Sequence, residues 1–127
     1  MGNKAERSQD LRGMRVLVVD DEFLIAMAIE QTLADAGADI VSAATLPTAL
    51  KIATEEPLSA ALLDVRLGRQ TSEEIADMLA ARGIPFVFYT GQPLPDGMRE
   101  KHPAAEVLIK PIHQDAFVRA IRQCTSE

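Results

Sequence analysis

Short apolar runs alternate along this chain with longer stretches of helical periodicity. That is the pattern of a parallel α/β sheet with helical crossovers. The first run, residues 14–19, is rich in Val and Leu and stops at Asp20. Continuous apolar content, rather than strict alternation, suits a central strand covered on both faces. From about Glu22 onward, Ile25, Ala28, Ile29, Thr32, Leu33 and Ala36 recur at helical spacing, and Gly37 supplies a C′ stop. Residues 39–43 predict a second strand. Pro47 suits the first turn of the next helix, Ala49, Leu50 and Ala53 continue it, and Pro57 ends it. Residues 58–63 predict a third strand that stops at Asp64, followed by a loop through Gly68.

The second half repeats the alternation. Thr71, Ser72, Glu73 and Glu74 have the spacing of a capping box, with Thr71 as cap and Glu74 reaching back. Ile75, Met78 and Leu79 give that helix its buried stripe, and Gly83 closes it. Residues 85–89 predict a fourth strand ending at Thr90 and Gly91. From Gln92 to Glu106 the pattern is broken by Pro93, Pro95, Gly97 and Pro103, which leaves room for one short helix over 96–101. Residues 107–109 predict a fifth strand ending at Lys110 and Pro111. A last helix over 115–123 buries Phe117 and Ile121, with Ala120 near them. Five β/α units over residues 14–125 are expected to form one domain, with residues 1–13 as a flexible polar leader.

Composition narrows the function classes. The 127 residues are 47% hydrophobic and 25% charged, the balance of a globular protein able to bury a core. The formal net charge of -6 disfavours a nucleic-acid partner. One cysteine, Cys124, excludes an intramolecular disulfide and reads as an unreactive helix-face residue. No stretch is long and apolar enough to span a membrane, and residues 1–12 lack the apolar core of a signal peptide. The expected location is cytoplasmic. His102 and His113 have no metal-ligand partner at suitable spacing and read as surface residues.

The chemistry-bearing residues share one placement. Asp20 and Asp21 follow the first strand, Asp64 ends the third, Thr90 the fourth and Lys110 the fifth. In an open parallel sheet the carboxyl ends of the strands form the ligand-binding edge, so residues distant in sequence meet on one rim. Three clustered carboxylates repel one another and push at least one pKa upward. A hard divalent cation removes that conflict, and Mg2+ suits an oxygen site with few protein ligands and a phosphate oxygen. Asp64 could then attack phosphorus as an ionised carboxylate. Lys110 would neutralise part of the phosphoryl charge, and the Thr90 hydroxyl could donate to a phosphoryl oxygen.

These residues, in this order and at these strand ends, resemble the receiver domains of response regulators over nearly the whole chain. The resemblance implies a doubly wound, flavodoxin-like five-stranded parallel sheet in the order 2-1-3-4-5. It implies Mg2+ held by Asp20, Asp21, Asp64 and the backbone carbonyl of Arg66, and a cis bond between Lys110 and Pro111. It implies a signalling protein rather than an enzyme, phosphorylated on Asp64 by a sensor histidine kinase or a histidine phosphotransfer protein. A stand-alone receiver working through phosphorylation-dependent protein contacts is the leading expectation. A degenerate receiver that binds partners without phosphorylation, and a phosphate sink for a shared kinase, are the alternatives. Downstream partner and oligomeric state are left open.

Some positions depart from the common receiver pattern. Three residues before Lys110, where the family usually has an aromatic switch residue, stands Val107. Val65, Arg66, Leu67 and Gly68 replace a common Met-Pro pair. Strand four is similar to that of a subgroup with a Phe-Ala-Thr-Gly motif, but Tyr89 replaces the Ala and Gln92 follows the Gly. By alternation Tyr89 points to the face opposite Phe88 and Thr90. It reads either as a core aromatic with its hydroxyl at the edge or as a reporter of the phosphorylated state. Arg66 and Gln92 flank the site and read either as lifetime-tuning or as solvated side chains. A hydrolase or nucleotide-binding protein of the same architecture would carry a Gly-rich loop after the first strand, and here that loop has no glycine.

Overall fold

The computed structural model describes residues 10–111 and 113–126. Five parallel strands form its sheet: β1 Arg15–Val19, β2 Asp39–Ala43, β3 Ala60–Asp64, β4 Phe86–Thr90 and β5 Val107–Ile109. Their spatial order is β2-β1-β3-β4-β5, the doubly wound order the resemblance implies. Four helices cross between them, α1 Phe23–Asp35, α2 Leu46–Glu55, α3 Glu73–Ala81 and α4 Asp96–Lys101, and α5 Gln114–Thr125 follows the last strand. β3 and β4 are buried at every position, as their continuous apolar sequences require.

Alternation along the strands feeds two core layers, one on each face of the sheet. Leu17, Val19, Leu63, Phe86 and Phe88 pack with α2, α3 and α4 through residues such as Ala49, Ile75, Leu79 and Met98. Val16, Val18, Leu62, Val87 and Tyr89 pack with α1 and α5 through Ile29, Leu33, Phe117 and Ile121. Burial of this many branched and aromatic side chains supplies the main stabilisation, at about 1.5–3 kcal/mol for each large apolar side chain.

Several local features differ from the sequence expectations. The packed body begins before Met14. Leu11 is fully buried and its N–H donates to the Ala36 carbonyl at 2.7 Å. Gly37, at φ +104, leaves room for this segment: a Cβ there would come within 2.6 Å of Arg12 Cγ. The remainder of the expected leader, residues 1–9, lies outside the described residues. The capping box is replaced by a different arrangement. Ser72, not Thr71, is the N-cap of α3, and its buried hydroxyl has no hydrogen-bond partner among the described residues. Thr71 Oγ1 instead accepts the Glu73 N–H at 3.4 Å. Ala76 joins Ile75 and Leu79 in the core, whereas Met78 is only half-buried. The loop after Asp64 is a small hairpin in which Arg66–Leu67 pairs antiparallel with Gln70–Thr71. α2 starts one residue before Pro47, capped by Thr45 Oγ1, which accepts the Thr48 N–H. His113 is exposed, as expected, and caps α5 by accepting the Asp115 N–H on Nδ1.

His102 is not a surface residue. Its side chain is 9% exposed and lies edge-on to Phe86, with centroids 5.2 Å apart. Nε2 is 2.9 Å from Asp77 Oδ1, and since a carboxylate only accepts, the imidazole donates. Hydrophobic contact on one side and a carboxylate on the other make burial tolerable for a polar ring. Cys124 is half-buried on α5, and burial raises its thiol to about 11, which keeps it protonated and unreactive at neutral pH. No helix among the described residues is long and apolar enough to cross a membrane.

Candidate functional site

Strand register brings the polar residues together. Val19 lies opposite Leu63 on the neighbouring strand, so Asp20 leaves β1 level with Asp64 at the end of β3. Asp64 lies opposite Tyr89, and Thr90 opposite Ile109. The ladder continues past the strand ends: Lys110 N–H donates to the Thr90 carbonyl at 2.8 Å and Val65 N–H to the Tyr89 carbonyl at 3.3 Å. All the candidate residues thus sit on one rim, at the carboxyl ends of the strands. The Lys110–Pro111 bond is cis, as the resemblance implies.

Asp20, Asp21 and Asp64 each place a carboxylate oxygen within 4.8 Å of the others. Asp20 and Asp64 are buried, at 3% and 5% exposure, while Asp21 is exposed. Asp20 Oδ1 accepts the Glu22 N–H at 2.8 Å. Asp21 Oδ2 accepts the Gly68 N–H at 2.8 Å, which draws the hairpin turn over the site. Gly68 makes that turn at φ +63, a conformation glycine adopts without steric cost. Beside the carboxylates opens a cleft of about 370 Å³ bordered by Asp21, Asp64, Arg66, Thr90, Gln92 and Lys110.

The charges are unequally balanced. Burial lifts the Asp64 carboxyl to about 6, and the nearby Asp20 adds to that rise. Lys110 opposes it, with Nζ 3.4 Å from Asp64 Oδ2, and so does the Arg66 backbone N–H. Lys110 Nζ also lies 3.9 Å from Glu22 Oε1. Thr90, 3% exposed, spends its hydroxyl locally: Oγ1 donates to the Gln92 carbonyl at 2.9 Å and accepts the Gln92 N–H at 3.2 Å. Val107 is half-buried at the edge of the α2–α3–α4 layer.

Tyr89 does more than the sequence indicated. Its ring faces the α1–α5 layer, as alternation predicts, and its hydroxyl donates to Asp20 Oδ2. Burial above all, then this hydrogen bond and the surrounding carboxylates, hold the phenol well above its ordinary pKa. The Lys110 ammonium stands 4.4 Å from the ring centroid, within cation–π range. Sequence alternation fixes the face of Tyr89 but not its partner, because β1 and β4 are separated by β3 and only the long phenol reaches across.

Comparison with known proteins agrees with this geometry. Residues 16–122 match the sequence profile of the response regulator receiver domain. No curated protein sequence matches the chain. A CheY-like response regulator receiver domain protein from Methanospirillum hungatei superposes with a TM-score of 0.79 at 23% identity, over 87% of this chain and 91% of that one. The receiver domain of a sensor histidine kinase from Pseudomonas aeruginosa, with a magnesium ion coordinated in its active-site cleft, gives a TM-score of 0.76 at 23% identity, over 89% and 98%. The response regulator PhyR from Brucella abortus gives a TM-score of 0.75 at 26% identity, over 95% of this chain but 51% of that one, so this chain spans about half of PhyR. The first two likenesses bear on the fold alone.

Proposed function

The chain belongs to the response regulator receiver domain family, and from that premise we propose that it takes a phosphoryl group onto Asp64 and signals through protein partners that read the phosphorylated shape. The observation that carries this reading is the meeting of Asp20, Asp21 and Asp64 oxygens within 4.8 Å, with the Lys110 ammonium 3.4 Å from Asp64. An Asp64 oxygen attacks the phosphorus of a phosphohistidine on a sensor histidine kinase or a histidine phosphotransfer protein. An O–P bond forms, the donor's P–N bond breaks, and the electron pair passes to the imidazole nitrogen, which takes a proton. Lys110 offsets the charge of the incoming phosphoryl oxygens. Thr90 Oγ1 exchanges its local acceptor, the Gln92 carbonyl, for a phosphoryl oxygen, and the loop after β4 follows it.

The donor set fits Mg2+: clustered hard oxygens, and a cleft with room for waters and a phosphoryl oxygen. Asp20, Asp21, Asp64 and the backbone carbonyl of Arg66 would hold it, and when bound it supplies the positive charge that keeps Asp64 ionised beside its neighbours. Exposed apolar side chains at the rim support protein partners. Phe23 and Leu24, directly after Glu22 at the site, are 72% and 78% exposed, and Ile109 beside Lys110 is 55% exposed. The net charge of -6 argues against a nucleic-acid partner.

Intact-mass measurement after treatment with a small phosphodonor and Mg2+ tests the reading. Wild type gains one phosphoryl adduct that requires Mg2+, and Asp64→Asn gains none. One specific observation favours a second reading: Val107 gives no aromatic side chain to follow Thr90. Folded wild type that binds Mg2+ yet gains no adduct would leave the degenerate, phosphorylation-independent binding module in its place.

A further inference from the structure

Asp20 is held by two separate donors, one on each oxygen. The Glu22 N–H bonds Oδ1 and the Tyr89 hydroxyl bonds Oδ2. Donors on both oxygens fix the plane of the carboxylate as well as its position. They leave lone pairs free, since an ionised carboxylate offers about four acceptor sites and these bonds use two. Tyr89 is itself immobilised. It is 2% exposed, and its ring stands edge-on to Phe117 of α5, with centroids 5.4 Å apart at 86°. The Lys110 ammonium lies over the ring, 4.4 Å from the centroid, and the same ammonium lies 3.4 Å from Asp64. One rigid aromatic side chain therefore touches the acid after β1 and the cation after β5, two groups from opposite sides of the sheet's central strand.

We propose that Tyr89 is a positioning residue for the cation site: its hydroxyl orients Asp20 for Mg2+, and its ring seats Lys110 beside Asp64. This rests on the Mg2+ reading of the site given above. A tyrosine serving only to fill the core would be replaced by phenylalanine without consequence for an ion that touches neither residue's ring. A hydroxyl that orients a carboxylate acts as the outer partner of a metal ligand, and removal of such partners typically weakens the metal about 10–100-fold.

The sequence supplies its own reporter, since Tyr89 is the one tyrosine and there is no tryptophan. The experiment is a calorimetric Mg2+ titration of wild type and Tyr89→Phe, each confirmed folded by circular dichroism, with tyrosine emission followed in parallel for wild type and Asp20→Asn. The proposal expects Tyr89→Phe to bind Mg2+ at least about 10-fold more weakly. It also expects wild-type emission to change along the same titration curve, because the acceptor of the phenol proton is drawn to the ion, and Asp20→Asn emission to stay flat. Equal or tighter Mg2+ binding by Tyr89→Phe overturns it. Should that variant not fold, a wild-type emission that ignores saturating Mg2+ overturns it equally. Absence of Mg2+ binding by folded wild type removes the site reading itself, and the role of Tyr89 with it.

Discussion

Tyr89 and Thr90 are consecutive residues at the end of β4, both nearly fully buried, and they face opposite layers of the molecule. On the α1–α5 side Tyr89 is bound at a distance: its hydroxyl to Asp20, its ring to Phe117, its face to Lys110. On the other side the Thr90 hydroxyl is bound, among the described residues, only to Gln92, two residues away and exposed. A tertiary link cannot be remade without moving another element, whereas a bond inside one turn can be exchanged for water or a ligand at little cost. The phosphoryl transfer proposed above needs both properties, a fixed set of carboxylates and a hydroxyl free to re-pair. Adjacent positions of one strand supply them because alternation sends the two side chains into different surroundings.

The largest effect that would test this contrast is on stability. Tyr89→Ala empties a buried aromatic site and strips Asp20 of a donor, and is expected to cost about 3–5 kcal/mol. Thr90→Ala removes two local bonds to the exposed Gln92 and is expected to cost about 1 kcal/mol or less. Urea denaturation of both variants measures the difference. Equal losses would mean that Thr90 is anchored as firmly as Tyr89 and would remove the physical basis for assigning it the switching role.

A somewhat smaller effect of Thr90→Ala falls on phosphorylation. Thr90→Ala loses a hydrogen bond to the charged phosphoryl group, worth about 1.5–3 kcal/mol, or roughly 10–100-fold in rate. The half-time of adduct formation with excess small phosphodonor and Mg2+ gives that number directly. A Thr90→Ala protein phosphorylated as fast as wild type would leave the hydroxyl with no part in the transfer.

The same contrast explains what could be read from the sequence. Asp20, Asp64, Thr90 and Lys110 were legible because each ends an apolar run, and a strand end in a parallel sheet has a known destination. The face of Tyr89 was legible for the same reason, since strand periodicity needs no partner. What was not legible depended on contacts across the fold. The Arg66–Thr71 hairpin forms around Gly68, whose N–H is claimed by Asp21 from 47 positions away. Leu11 reads as one apolar residue in a polar leader until the end of α1 offers it a carbonyl and a pocket. His102, among prolines and charges, reads as surface until Phe86 and Asp77 are seen beside it.

The smallest effect concerns the segment that follows Thr90. α4 is seated by Leu94 and Met98 beneath, but its polar ties to α3 are shallow: Lys101 to Glu73 at 2.6 Å and to Asp77 at 2.7 Å, and His102 to Asp77 at 2.9 Å. Partial burial works to raise the Asp77 carboxyl, but the hydrogen bonds from Lys101 and His102 outweigh it, so its pKa falls below the ordinary 3.8. A depressed folded-state pKa gives stability that is present above the unfolded value and lost as pH falls through the folded one. Because the side chains of Asp77 and Lys101 are 42% and 45% exposed, solvent screens the pair. Asp77→Asn is therefore expected to cost less than about 1 kcal/mol near neutral pH. That difference from wild type should shrink steadily below pH 3.8, and it should also shrink with added salt. Urea midpoints of both proteins across that range, in low and high salt, check the sign and the size. A loss of several kcal/mol, insensitive to salt, would mean the α4 segment is clamped as tightly as the Tyr89 side, and a loop so held could not follow Thr90 when its hydroxyl changes partner.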